Sequence, residues 1–278
     1  MAVHSSQQGI KEGSATVQIR SVSEPFFTKL QHGASLTLND KQILADLCKH
    51  VRDVKSQRDI ASQDRACRYL PIILEGWACR YRLLENGKRQ ITGLFIPGDL
   101  CEPFGILPRF PDSTFAALTP TKIALASLDA VAAAARSSPS LREAFWWDLL
   151  MASSIDQERL VSLGRRSAAE RVAHLFCELH VRLMIIGQAD NEGYELLITQ
   201  TDMSDMLGLT SVHVNRSLKI LRETGLISLK GRRLMIHDLV GLRDLALFDP
   251  TYLHLDRSTS RSPATVEAEG AQGYEVGT

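Results

Sequence analysis

Six cations, Arg216, Lys219, Arg222, Lys230, Arg232 and Arg233, fall between Gly208 and Ile236 against one anion, Glu223, so six minus one leaves about +5. The rest of the chain offers no such bias, because 32 basic and 32 acidic residues cancel over its 278 positions. A local positive patch in a neutral protein suits a polyanion, and duplex DNA is lined with phosphates. The spacing is as informative as the charge. Val214, Leu218 and Leu221 fall at i, i+4 and i+7, one apolar helical face, which leaves Ser211, Val212, Asn215, Arg216, Lys219 and Arg222 on the other side. Thr199-Gln-Thr-Asp202 can cap a helix whose buried side is Met203, Met206 and Leu207; Gly208 ends it, and Thr210 can cap the next. Two short helices joined by a tight glycine turn make a helix-turn-helix. Beyond them, Leu226–Leu229 and Leu234–His237 flank Lys230-Gly-Arg-Arg233, which reads as a β-hairpin with a basic tip, a wing beside the helices.

Other elements must hold this segment. The composition, 44% hydrophobic and 23% charged, is that of a globular protein of one large or two ordinary domains. Residues 1–35 carry few apolar anchors and are expected as a flexible arm; 257–278 are expected as a disordered tail. Residues 36–137 are expected as a small antiparallel β-barrel after a short helix. Its strands are Tyr69–Leu74, Trp77–Leu84, Ile91–Ile96, Ala116–Leu118 and Lys122–Ser127, broken by Glu75-Gly76, Asn86-Gly87, Pro97-Gly98 and Thr119-Pro120. Over 138–164, Leu141, Phe145, Leu149, Ala152, Ile155, Leu160 and Leu163 step at about one helical turn, with Trp146 and Trp147 beside them. A helix with more than one apolar face needs a second surface, either the barrel or another copy of itself. Ser167-Ala-Ala-Glu170 is a capping box opening a helix to about Ile186, followed by a polar loop Gln188–Gly193. The DNA-binding unit is placed at 165–256. The fold class is therefore α+β, a barrel, a long helix and a winged helix-turn-helix.

The stretch Thr199–Ile227 resembles the DNA-binding domain of the cyclic-AMP receptor protein/Fnr (Crp/Fnr) family of bacterial transcription regulators. Trp77–Arg82 (WACRYR), Gly87–Ile91 (GKRQI) and Phe95–Asp99 (FIPGD) resemble strands of its cyclic-nucleotide-binding-type, jelly-roll-like barrel, and the helix ending near Leu163 is similar to its dimerisation helix. The resemblance spans roughly Ser35 to Phe248 and implies a homodimer on a palindromic site, its recognition helices about one DNA turn, roughly 34 Å, apart. It also implies RNA polymerase as a partner. The family's base-reading positions fall on Ser211, Val212, Asn215 and Arg216. Arg216 matches an arginine suited to guanine; Asn215 suits adenine or a phosphate; Val212 departs from the glutamate of well-known members and suits a thymine methyl. Thr210, His213 and Arg233 are candidate phosphate contacts, and Thr199 and Lys219 complete the expected DNA-binding set.

The effector is unknown from the sequence. Cyclic-nucleotide-binding members clamp the phosphate with an Arg-Ser pair, where this chain has Asp112 before Ser113, a carboxylate that would repel it; Arg109 lies three residues earlier between prolines. Cys48, Cys67, Cys79 and Cys101 lack the close spacing of an iron–sulfur motif, and Cys177 reads as a small core residue. Cys101, beside Glu102, is the candidate redox thiol. No histidine stands between Arg52 and Ala173, which speaks against haem and against a metal-dependent barrel enzyme. His174 and His180, six apart on one helix, lack ligand spacing, and no nucleophile elbow or P-loop is present, so no catalytic residue is assigned. With no apolar run of spanning length and no hydrophobic N-terminal stretch, a cytoplasmic protein without membrane contact is expected. The alternative reading is a small-molecule-binding or redox-sensing barrel whose helical domain docks protein rather than DNA. A protein-docking face would be more apolar at its centre than this basic helix and wing.

Overall fold

A computed structural model describes residues 23–61, 69–101 and 113–255. The chain enters these residues through a helix, α1 (Glu24–Leu30), where a loose arm was expected up to residue 35. Phe26, Phe27 and Leu30 make one apolar face, and all three are buried against Leu44, Leu70, Ile72 and Ala124. Three large side chains in five residues suffice to dock a short helix once a barrel face is there to receive them. The docking is close: a Cβ added to Gly98 would lie 2.7 Å from the Pro25 carbonyl oxygen. Helix α2 (Leu38–Leu47) follows, opened by a capping box between Thr37 and Asp40.

Strands β1 (Val51–Val54), β2 (Asp59–Ala61), β3 (Tyr69–Glu75), β4 (Ala78–Leu83), β5 (Arg89–Phe95), β6 (Thr114–Ala117) and β7 (Thr121–Ser127) build the barrel. They form two antiparallel sheets, ordered β1-β7-β3 and β2-β6-β4-β5. Successive strand residues point to opposite faces, and both faces of the second sheet are used. Ala78 and Phe115 point inward to meet Ile73 and Ile123. Cys79, Ile91, Leu94 and Ala116 point outward and join the core of the helical domain.

Two helices then run in series, α3 (Leu128–Ser137), capped by Ser127, and α4 (Pro139–Arg165), capped by Ser138 with Pro139 in its first turn. Leu141, Phe145, Met151 and Ile155 of α4 are buried, whereas Leu160, expected on the same stripe, is 70% exposed on another side. Helix α5 (Ala168–Met184) opens on the Ser167/Glu170 capping box. The polar stretch expected as a loop after it holds two short strands, β8 (Ala189–Asp190) and β9 (Gly193–Glu195). Helices α6 (Gln200–Leu207) and α7 (Ser211–Glu223), strands β10 (Ile227–Lys230) and β11 (Arg233–Ile236), helix α8 (Leu239–Ala246) and a 3-10 turn (Pro250–Leu253) complete the described chain. The hairpin expected as a lone wing is part of an antiparallel sheet ordered β10-β11-β9-β8. No helix among the described residues is long and apolar enough to cross a membrane.

Candidate nucleic-acid interface

Local sequence positions α6 and α7. Thr199 caps α6 reciprocally with Asp202, the Asp202 N–H donating to its hydroxyl at 3.1 Å and the Thr199 N–H to the carboxylate at 3.0 Å. Gly208 ends α6 at φ 62°, a left-handed conformation in which glycine carries no Cβ penalty. Two residues on, the Thr210 hydroxyl accepts from the His213 N–H at 3.3 Å and caps α7. Val214, Leu218 and Leu221 are buried as the spacing required, joined by Ser217, and they seat α7 on the core formed with α6.

The opposite side of α7 is open. Ser211, Val212, His213, Asn215, Arg216 and Lys219 are all exposed, Val212 at 74%. The Thr210 hydroxyl and His213 Nδ1 are 3.1 Å apart. Asn215 donates from Nδ2 to the Ser211 carbonyl at 3.1 Å, so its amide lies along the helix. Lys219 reaches Glu223 at 3.5 Å across exposed surface, a pair of little energetic weight. Arg216 has no side-chain partner among the described residues and projects as a free guanidinium.

At the wing, Lys230, Gly231 and Arg232 are exposed at the tip, where Lys230 pairs with Arg233 in register. Arg233, expected to meet phosphate, lies 2.6 Å from Asp190 on β8. Its guanidinium holds the Asp190 carboxyl below the ordinary carboxylate range. The free cations of the wing are therefore Lys230 and Arg232, which carry no side-chain partner among the described residues.

In the barrel, Cys101 is fully buried in the apolar cluster with Val54, Ile73 and Phe115. A reactive sensor thiol is accessible, and this one is buried. Elsewhere, burial pushes the thiol pKa values of Cys48, Cys79 and Cys177 up to about 12. Cys67, Glu102, Arg109 and Asp112 lie outside the described residues. A shallow cleft runs between β5, the Asp99 turn and α4. All four cations in its wall are engaged: Lys29 with Asp99 and Asp148, Arg80 and Arg159 with Asp156, Arg182 with Asp99 and Glu178. Among the described residues this wall offers no unpaired cation to a cyclic phosphate. No cluster of three or more His, Cys, Asp or Glu there is arranged to hold a metal ion.

The comparisons with known proteins converge on this arrangement. The Crp-like helix-turn-helix domain matches residues 170–245, and the cyclic nucleotide-binding domain matches residues 51–138. The nitrogen fixation regulation protein FixK of Azorhizobium caulinodans is 30% identical over 189 residues, 67% of this chain and 75% of that one. The chain belongs to the Crp/Fnr family. An anaerobic regulatory protein of Haemophilus influenzae is 28% identical over 224 residues, 79% of this chain and 86% of its own. The solved structure of FixK2 from Bradyrhizobium japonicum superimposes with a TM-score of 0.62 at 25% identity, covering 70% of this chain and 96% of that one. This member of the family is thus a DNA-binding transcription regulator.

Sequence reasoning missed three things here. Strands β8 and β9 went unseen because each has only two or three residues, too few to show alternation. The 3-10 turn returns to the long helix, Trp147 Nε1 donating to the His254 carbonyl at 2.7 Å, a contact over 107 positions with no local signature. Arg89 reaches α6 from the barrel, and nothing in the GKRQI segment singles it out.

Proposed function

We propose that this Crp/Fnr regulator acts as a cytoplasmic homodimer that reads an inverted repeat and presents itself to RNA polymerase from that site. The observation that carries the dimer is an uncovered seam on α4. Trp146, Leu150, Ser153, Gln157, Leu160 and Gly164 step by 4, 3, 4, 3 and 4 along one side of the helix. That is the period of a two-stranded coiled coil. Trp146 and Leu160 are each 70% exposed and Leu150 is 50% exposed, so the protomer alone leaves these side chains in water.

In each half-site Arg216 pairs bidentately with a guanine and Val212 packs on a thymine methyl, with Ser211 and Asn215 beside them. Thr199, Thr210, His213 and Lys219 face the sugar-phosphate backbone, with Lys230 and Arg232 beside Arg233 on the wing; the exposed pair of Arg233 with Asp190 holds it only weakly. The working units are the barrel of 36–137 extended to include α1, the dimer helix of 138–164, and the reading domain of 165–256. The burial of Cys101 speaks against a redox role for its thiol.

Selection from a random duplex pool with the purified protein tests this. The expected product is an inverted repeat with half-site centres about ten base pairs apart. Recovery of single asymmetric sites, or of DNA with no shared sequence, would overturn the reading.

A further inference from the structure

Arg89 on β5 extends across the domain boundary onto α6. It donates from Nη2 to Asp202 Oδ1 at 2.7 Å and from Nε to Asp205 Oδ2 at 2.7 Å. Its neighbour Gln90 donates from Nε2 to the Met206 carbonyl at 3.2 Å. Asp202 is a buried residue whose second oxygen accepts from the Thr199 hydroxyl at 2.6 Å, so the same carboxylate serves the helix cap and the barrel. Two carboxylates one turn apart suit the planar fork of a guanidinium, which an ammonium does not match. Below these bonds Cys79, Ile91 and Leu94 share a core with Met203 and Met206. The grip leaves Ser211, Val212, Asn215 and Arg216 exposed.

We propose that Arg89 is a positioning residue for DNA recognition, a clamp that fixes the reading domain on the barrel with α7 facing outward, so that both heads of a dimer meet their half-sites at one preset spacing. The proposal rests on the inverted-repeat reading above. A duplex holds two half-sites at a fixed distance and phase. Heads that swing lose orientational freedom when both engage, whereas clamped heads have lost it already on folding. A single half-site makes no demand on spacing, so the clamp matters only for the repeat.

The test uses the full-length protein, the repeat selected by the wild type, and the same duplex with one half-site scrambled. The readout is the ratio of the two affinities. Arg89→Ala is expected to weaken binding to the repeat roughly tenfold, within the 5–150-fold range of site-to-site coupling, with half-site affinity unchanged. Asp205→Asn should lower the ratio in the same direction. The Arg89→Ala/Asp205→Asn pair should be no worse than Arg89→Ala alone, because both remove one interaction. Arg89→Lys should recover part of the ratio, since an ammonium reaches one of the two carboxylates. Equal losses on both duplexes would mean that Arg89 only supports folding, and would overturn the proposal. So would no loss on either, or tighter binding to the repeat, the mark of a brake. A wild type that binds both duplexes equally would instead refute the two-headed reading and remove the premise of the clamp.

Discussion

At the residue scale the interface divides into side chains that are free to read and side chains already engaged. Arg216 is free and exposed, so Arg216→Ala should cost about 1–3 kcal/mol of preference for the selected site over scrambled DNA, measured by competition at constant salt. Wild-type preference in that variant would remove Arg216 from the reading face. Thr210 acts differently, through the helix it caps. Thr210→Ala should lower stability by about 1 kcal/mol in urea unfolding, and Thr210→Ser should restore it, because either hydroxyl accepts from the His213 N–H. The exposed placement of Arg216 and the cap at Thr210 were legible in the sequence, since capping and helical periodicity involve neighbours within a few residues. The engagement of Arg233 was not, because Asp190 lies 43 positions away.

At the scale of elements, α4 presents two unlike sides. Its inner side is buried through Leu141, Phe145 and Met151, and its outer seam of Trp146, Leu150 and Leu160 is exposed in the protomer, which is the surface the proposed dimer would cover. Leu160→Glu should leave the protomer folded, since that side chain is 70% exposed, and should split the dimer. Losing a Leu burial worth about 1.5 kcal/mol on each protomer raises the dimer dissociation constant at least about a hundredfold. Sedimentation across a dilution series would read this; an unchanged dimer would place the interface elsewhere. The periodicity of α4 was visible in the sequence, but Leu160 was grouped with the inner stripe. A helix apolar on several sides gives no internal mark of which side its own domain covers.

At the scale of the whole molecule, Asp99 joins units far apart in sequence. It meets Lys29 of α1 at 2.6 Å and Arg182 of α5 at 2.7 Å, and accepts from the Ile96 N–H at 2.8 Å. Burial alone would raise its pKa, but Lys29 and Arg182 outweigh burial and hold the carboxyl below the usual range. Asp148, against the same lysine, goes the other way, because burial there outweighs Lys29. A depressed native pKa contributes stability above the unfolded value, near 4, which is lost as pH falls through the native one. Asp148 has the opposite sign, since its raised pKa costs stability as pH rises through it. Asp99→Asn should therefore destabilise the protein at neutral pH by about 3–5 kcal/mol and flatten the acid limb of stability against pH. Urea unfolding from pH 3 to 7 at fixed protein concentration measures both. An acid limb as steep as wild type would show that another carboxylate governs it.

Alone, the sequence determined the helix-turn-helix, its caps, its outward residues and five of the seven barrel strands, β3 to β7, but not β1 and β2. Those features depend on hydrogen bonds and apolar repeats within one or two turns, or across a hairpin. Only the tertiary structure decided that α1 belongs to the core, that Cys101 is buried, that Arg233 pairs with Asp190 and that Arg89 grips α6. Each of these turns on a partner brought near by folding, such as Asp202, 113 positions from Arg89. Burial and charge pairing act between spatial neighbours, and one sequence records neighbours only along the chain.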